Sequence, residues 1–496
     1  MKIVSVAQMR AVEAAAFAAG ITEARLQEQA GHAVAEEVER RLEPGERVVV
    51  LVGHGNNGRD GGVAAEWLAR RGIAVELVLA PRHAITSAEL ERLRELGAST
   101  VPAEDVEDVQ RALKAADVAI DALAGIGTHG PLRDPLAALA RLLNDADGTY
   151  VVALDVPSGI DADAGTVPGD AVRADLTVTL GAIKQGLLRF PAAELVGQLV
   201  ARDIGIPLGA QLDLPYTVLD VAGFAPPRPM DAHKYSFGRV LVLAGSDHFL
   251  GAPVLCSGGA LRVGAGLVTV GSTASVRMTV AAHLPEATFT ILDVDHDLSA
   301  AAPYLSTHNA LVIGPGLGRG PAVTGFVADV LRQRQGGAVV DADALFALSE
   351  VSHWQALVGP HTILTPHAGE LARLTGGALP DEPLWLTAGR LAKLWGCVLI
   401  AKGPFTCVAE PNGQVSVWPR ANPALATGGT GDVLAGVCGG LLAQGCLPVD
   451  AARLGVGVHA LAAERLTTRR HWRTLLASDL FEEIPAVLGE LATRPR

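Results

Sequence analysis

Apolar runs long enough to cross a membrane are missing from this 496-residue chain. About 18 uninterrupted apolar residues would be needed, so no membrane span is expected. Cysteine is scarce. The five residues (Cys256, Cys397, Cys407, Cys438 and Cys446) are odd in number and form no Cys-x-x-Cys pair, which argues against a zinc cluster or a disulfide framework. They sit in apolar stretches and read as small core residues of a reducing compartment. Basic charge is outweighed: 40 Lys and Arg stand against 53 Asp and Glu, a net charge of −13. That balance leaves no footprint for general nucleic-acid binding. Small anions are not excluded, because Gly-rich loops bind them through backbone N–H groups. Arg10 and Glu13 interrupt the first apolar pattern, so no secretory signal is read and a cytoplasmic location is expected. The string G-x-x-x-x-G-K-[ST] is absent too, so a bound nucleotide is not held by a P-loop.

What is present is enough apolar sequence for two cores. The composition is 49% hydrophobic and 19% charged, and the length exceeds what one hydrophobic core fills. Short β-branched runs alternate with Ala/Leu/Arg segments of helical period. Strands are expected at 48–52, 75–79, 118–120, 151–154 and 176–180, with helices at 63–70 and 136–143 among others, and two helices between Ala7 and Arg41. The alternation restarts with strands at 240–243, 267–270, 310–313, 338–340, 362–364 and 398–400. Continuous apolar strands separated by helices imply parallel sheets covered on both faces. Between Pro207 and Pro229 the pattern breaks into Pro and Gly, including Pro226-Pro227-Arg228-Pro229, which reads as a linker. The expected organisation is a domain over 1–215, a linker over 216–230 and a second domain over 231–496.

Three polar loops follow strands in the first half. Gly53-His54-Gly55-Asn56-Asn57-Gly58 satisfies G-x-G-x-x-G between strand and helix, and Arg59-Asp60-Gly61-Gly62 continues it. Alone this is a weak signal, since a tight strand-to-helix turn needs glycine for steric reasons. The other loops start at Asp121 and Asp155, each at a strand's carboxyl end. A single such aspartate is often a helix cap, but three loops converging on one sheet edge favour a site. Oxygen donors from Asn57, Asp121 and Ser158 also suit a hard cation.

The run Gly55–Gly61, the Asp121 loop and Asp155-Val156-Pro157-Ser158-Gly159 resemble the N-terminal domain of the bifunctional NAD(P)H-hydrate repair enzymes. The resemblance implies an epimerase acting on the R and S hydrates of NADH and NADPH. It implies a K+ ion held by Asn57, Asp121 and Ser158, with Asp155 as the acid/base group. Asn56, Asn57, Gly58, Arg59, Asp60 and the stretch Gly125, Ile126, Gly127, Thr128, His129, Gly130 and Pro131 would contact the hydrate. This chain departs from the family at Arg59, where a second glycine is usual, and at Gln27–Gly31, which bears on packing.

In the second half Gly428-Gly429-Thr430-Gly431-Asp432 opens an apolar helix. Free N–H groups and the positive dipole end there would stabilise a transferring phosphoryl group. Asp432 would take the proton of an attacking hydroxyl. The alternative is a capping Asp at a glycine turn. The string resembles the ribokinase-like fold and, with Gly245-Ser246, Gly251-Ala252-Pro253, Gly314–Gly318, Val340–Leu345, Leu364–Glu370 and Lys402–Thr406, the ADP/ATP-dependent NAD(P)H-hydrate dehydratases. That resemblance implies hydrate contacts at Ala252, Gly316, His367 and Asp432. It implies nucleotide contacts at Lys402, Gly403, Pro404, Phe405, Thr406, Gly429, Thr430 and Gly431, and Mg2+ accompanying ADP or ATP. Asp341 and Asp343 read as helix caps or as partners of magnesium-bound water, and Glu370 as a cap or a metal-related group. Ala421 and Ala424 replace two glycines usual in the family, which would restrict the loop before the anion pocket.

The implied fold class is α/β, a Rossmann-like three-layer αβα domain followed by a ribokinase-like αβα domain. The implied activity is repair of hydrated NADH and NADPH, with small molecules as partners and a homo-oligomer expected. The chief alternative is a kinase for a small alcohol with a non-catalytic N-terminal binding domain. A scaffold protein and an NAD-dependent dehydrogenase built on Gly53–Gly58 are the others.

Overall fold

Each run of β-branched residues named above forms a strand in the computed structural model, which describes residues 1–207, 214–221, 230–292 and 298–493. The described residues divide into two units, Met1–Tyr216 and Thr217–Arg496. Strands in the first are β1 (Ile3–Val4), β2 (Arg47–Val52), β3 (Ala74–Leu79), β4 (Ser99–Pro102), β5 (Val118–Ala122), β6 (Tyr150–Leu154), β7 (Leu176–Leu180), β8 (Ile183–Lys184) and β9 (Gln198–Arg202). Seven of them make one sheet in the order β4-β3-β2-β5-β6-β7-β9, parallel throughout. The winding direction reverses between β2 and β5, and in doubly wound sheets the ligand crevice opens at the carboxyl ends of such a pair. The loops after β2 and β5 are therefore neighbours. β1 and β8 form a separate two-stranded parallel pair.

Two helices precede β2, as read from the sequence, at Val6–Ala18 and Glu23–Glu39, capped by Ser5 and Thr22. The helix expected at 63–70 begins earlier, at Asn56, so Asn56–Gly62 form its first two turns and are not a loop. The glycines that suggested a turn serve close packing instead. A Cβ on Gly61 would stand 2.5 Å from the Ala122 Cβ of β5, so the helix lies against the sheet at its switch point. The edge strands β4 and β9 and the short β1 and β8 escape sequence reading because their apolar runs are short or interrupted by charge.

The second unit contains β10 (Tyr216–Val218), β11 (Arg239–Leu243), β12 (Leu267–Ser272), β13 (Thr288–Ile291), β14 (Ala310–Ile313), β15 (Gly337–Val340), β16 (Thr362–Leu364), β17 (Val398–Ala401), β18 (Cys407–Ala409) and β19 (Val415–Val417). They form a ten-stranded sheet, β10-β19-β18-β17-β16-β15-β14-β11-β12-β13. From β13 to β17 the pairing is parallel, but β17, β18 and β19 pair antiparallel, so this sheet is mixed and not purely parallel. The tight turn after Lys402 returns the chain directly, and such a hairpin can only make antiparallel neighbours. Tyr216–Val218, inside the stretch read as linker, is a strand; the Pro226–Pro229 run lies outside the described residues.

Order reverses again between β11 and β14, which brings the Gly245–Gly251 and Gly314–Gly320 loops together: Gly245 N donates to Pro315 O (2.8 Å) and Ser246 Oγ to Gly316 O (2.8 Å). Helix Thr430–Ala443 is buried along almost its whole length and packs on helix Ala252–Arg262 with backbones nearly touching. A Cβ on Gly436 would overlap the Cys256 carbonyl, and one on Gly259 would stand 2.5 Å from Val433 O. Four cysteines are buried and Cys446 is partly buried, all with free thiols.

Candidate active sites

Beside the switch point of the first sheet lies a cavity of about 530 Å³. Its walls include Asn56, Asn57, Asp60, Gly125, Ile126, Gly127, Thr128 and Asp155. Gly58, Arg59, His129, Gly130 and Pro131 are not among its lining residues. Arg59 is exposed, so the departure there leaves the cavity wall unchanged. Gly58 acts through the backbone, since a Cβ there would overlap the Gly53 carbonyl.

Asn57 lines this cavity, whereas Asp121 and Ser158 are buried and are not among its lining residues. Asp121 is 0% exposed. Ser158 donates to both its oxygens, through N to Oδ2 (2.8 Å) and Oγ to Oδ1 (2.6 Å), and Leu123 N adds a bond to Oδ1 (3.2 Å). Ala124 N donates to Ser158 Oγ (2.9 Å). Burial pushes the Asp121 carboxyl up to about 6 despite these bonds. The Asn57 side chain lies against Gly125, and its Nδ2 has no hydrogen-bond partner among the described residues. Neither Asp121 nor Asp155 caps a helix.

Asp155 holds a left-handed backbone (φ 66°), uncommon for a non-glycine residue. Its Oδ1 accepts from Leu180 N (2.9 Å), Thr179 Oγ1 (3.2 Å) and Lys184 Nζ. Lys184 lines the same cavity, and sequence reading missed it. The available signal was a lysine between the apolar β7 and Leu187-Leu188. Asp60 carries a buried Oδ1 with no partner among the described residues. Burial, then the Asp155 charge, pushes its carboxyl up to about 8. Glu13 is raised as well, chiefly by burial.

In the second unit the anion-pocket helix starts at Thr430, after Gly429 in left-handed geometry (φ 90°). Thr430 Oγ1 donates to Leu425 O (2.8 Å), and the buried His459 bonds the Thr430 carbonyl through Nε2 (2.9 Å). Burial holds His459 down at about 4, so it stays neutral. Asp432 stands in the helix's first turn, pushed up to about 7 by burial and then by the Asp341 charge, against Lys402. Lys402 Nζ donates to the buried Asp341 (Oδ1, 2.8 Å) and lies 3.2 Å from where a Gly431 Cβ would be. Burial lowers the Lys402 ammonium, but Asp341 and Glu370 outweigh this and leave it raised. Thr365, also missed, donates to Asp341 Oδ1 (2.7 Å). Asp341, Lys402, Gly431 and Asp432 thus form one cluster.

His367 caps helix Ala368–Thr375: its Nδ1 accepts from Gly369 N (3.0 Å) and Glu370 N (3.3 Å), and Glu370 Oε2 accepts from His367 N (2.9 Å). The capping assignment for Glu370 holds. With Nδ1 accepting, the exposed Nε2 carries the ring proton. His367 bridges to Lys402, whose N donates to Pro366 O (2.8 Å). Asp343 ties down the neighbouring loop, accepting from Gly318 N (3.0 Å) and Arg319 Nε (3.1 Å). Ala252 and Gly316 touch, a Gly316 Cβ falling 3.1 Å from the Ala252 Cβ. Gly403, Pro404, Phe405 and Thr406 form the β17–β18 turn, closed by Thr406 Oγ1 donating to Gly403 O (3.0 Å). Ala421 and Ala424 are absent from the residues of positive φ, so alanine sits there without strain. Asn422 Oδ1 caps the short turn by accepting from Ala424 N (3.1 Å).

A doubly wound domain with its polar loops at the switch point, joined to a domain with a Gly-Thr-Gly-Asp anion pocket, defines a two-site α/β enzyme of ribokinase-like C-terminal fold. Residues 240–486 match the family described as NAD(P)H-hydrate dehydratase, and residues 23–186 the one described as YjeF-related protein N-terminus. The chain is 37% identical to the bifunctional NAD(P)H-hydrate repair enzyme of Moorella thermoacetica, over 94% of this chain and 92% of that one. The enzyme of the same description from Salinibacter ruber is 37% identical over 95% and 93%. A ribokinase-like superfamily protein from Enterococcus faecalis, 25% identical, superposes with a TM-score of 0.51 over 58% of this chain and 100% of its own. The chain belongs to the bifunctional NAD(P)H-hydrate repair enzymes. That membership sets aside the small-alcohol kinase, dehydrogenase and scaffold readings. Among the described residues no helix is long and apolar enough to cross a membrane.

Proposed function

We propose that the first unit interconverts the R and S hydrates of NADH and NADPH, and that the second dehydrates the S form at the expense of ADP or ATP. The observation that carries this is the Asp432 cluster: a carboxylate in the first turn of a buried helix, beside a Lys402–Asp341 pair. In the second unit Asp432 takes the proton of the hydrate's ring hydroxyl, whose oxygen forms a bond to the terminal phosphorus of the nucleotide as the bridging P–O bond breaks and AMP (from ADP) or ADP (from ATP) leaves. The N–H groups of Gly429 and Gly431 receive the charge developing on the phosphoryl oxygens. The C–O bond then breaks with its electron pair leaving on phosphate. A proton leaves the adjacent ring carbon, and the ring double bond of the reduced cofactor returns. Ala252, Gly316 and His367 would hold the hydrate, and Lys402–Thr406 the nucleotide.

Mg2+ would accompany the nucleotide beside the Asp432 cluster, keeping waters and phosphate oxygens as most of its ligands. Bound there, it would neutralise phosphate charge. In the first unit Asn57, Asp121 and Ser158 would supply hard oxygens to K+, and the buried Asp121 carboxylate has no ion-pair partner among the described residues. K+ would supply that missing charge and fix the loop that bears Gly125.

For epimerisation, Asp155 accepts the hydroxyl proton as a C=O bond forms and the ring C–N bond breaks, the electron pair passing to the ring nitrogen, which takes a proton back. Reclosure on the opposite carbonyl face gives the other epimer. A homo-oligomer is part of this reading.

The test is incubation with prepared NADPH hydrates and each nucleotide, following absorbance of the reduced nicotinamide. Absorbance should return with ADP or ATP; no return with either overturns the dehydratase assignment. Asp432→Asn should abolish recovery and leave epimerisation intact. Because Asp432 works as the ionised base and its carboxyl is held at about 7, the dehydration rate should rise with pH through about 7 and fall below it.

A further inference from the structure

Lys184 is among the largest side chains sealed inside the protein, 1% exposed, yet it borders the cavity. Its Nζ donates to Asp155 Oδ1 and to Leu180 O (2.8 Å), with Thr179 Oγ1 at 3.5 Å. A lysine so enclosed needs a partner, since a buried unpaired charge is costly. Asp155 is that partner. The consequence for Asp155 is geometric. Three donors (Lys184 Nζ, Leu180 N and Thr179 Oγ1) converge on Oδ1, and Oδ2 has no hydrogen-bond partner among the described residues. One carboxylate oxygen is anchored, and the other is left for a ligand in the cavity.

The lysine is itself anchored from both sides. β8 pairs with β1 in the register Ile3↔Ile183 and Val4↔Lys184, and Ile183 N donates to Lys2 O (2.9 Å). On the far side Gly186 N donates to Ala162 O (2.7 Å). The other charged or titratable groups on the cavity are Arg10 and Glu13 from helix Val6–Ala18, Glu23 from helix Glu23–Glu39, and His54 and Asp60 around the β2 turn. Among these described groups only Lys184 bonds Asp155.

We propose that Lys184 is the positioning residue of the epimerase site, which holds the Asp155 side chain with Oδ2 presented to the hydroxyl of the hydrate. The proposal rests on the epimerase reading above. It acts through Asp155, so its signature lies in turnover and not in binding.

The experiment uses the full chain and an excess of one purified NADPH-hydrate epimer, with kcat and KM measured across pH. Lys184→Met should lower kcat about 100-fold with KM within about threefold, the scale of a misplaced reacting group. Lys184→Arg, which keeps the charge but not the shape, should lose about tenfold in kcat with KM again within about threefold. A Lys184→Met enzyme with kcat within threefold of the parent, or with only KM raised, overturns the proposal. Should that variant not fold, Lys184→Arg decides, and an unchanged kcat there overturns it. A parent enzyme that interconverts no epimers refutes the epimerase reading itself, an outcome distinct from an active parent matched by an active Lys184→Met.

Discussion

Two aspartates on the same cavity have opposite surroundings. Asp155 faces an ammonium group, whereas Asp60 has a buried, unpartnered oxygen and is pushed up to about 8. An unfolded aspartate titrates near 4, so between about pH 4 and 8 the folded chain binds a proton at Asp60 that the unfolded chain has lost. Stability from this residue is therefore full below the unfolded value and is lost as pH rises through about 8. Asp60→Asn should be more stable than the parent, by a margin that grows from pH 5 to pH 8.5, and urea melts at the two pH values measure it. A margin that shrinks with pH would contradict the assigned ionisation. The sequence showed Asp60 as part of a polar run, but its protonation depends on packing around the cavity. Lys184 was illegible for a related reason: a lysine in an apolar stretch declares nothing until the fold sets a carboxylate opposite it.

At the level of elements, the two helices that begin in the dehydratase site also brace each other. Helix Ala252–Arg262 starts with a residue assigned to the hydrate, and helix Thr430–Ala443 starts with the anion pocket. Their spacing is set by glycine, because a Cβ on Gly436 would overlap the Cys256 carbonyl. Backbone cannot give way as a side chain can, so Gly436→Ala should cost about 1–3 kcal/mol in a urea melt. It should also slow dehydration without slowing epimerisation, since Asp432 and Ala252 would be forced apart. An alanine variant of parental stability would mean that the helices separate freely. The strands were legible from β-branched runs, and the buried helix from its small apolar residues. The Asn56 helix start, the antiparallel β17–β19 edge and strand β10 were not. Glycine composition mimics a turn where it permits contact, and a three-residue strand carries too little pattern beside proline-rich neighbours.

Over the whole molecule, the loops that follow β2, β5, β11 and β14 could be picked out as ligand loops because the strand-and-loop grammar of doubly wound sheets is local. The pairing of β1 with β8 is not local, and nothing in either dipeptide announces it. It ties Ile3 and Val4 to the strand that carries Lys184. Deleting Met1–Val4 should reduce epimerisation sharply while the Asp432-dependent step retains its rate, measured on the S hydrate alone; equal loss or equal survival of both would contradict this. The same pairing also orders events during synthesis. Ile3 is made long before Ile183 and has no strand to join until then, so most of the first domain must be made before Lys184 is fixed beside Asp155. A chain that stops short of Lys184 can hold the Asn57 and Asp121 loops and still lack the anchor of Asp155.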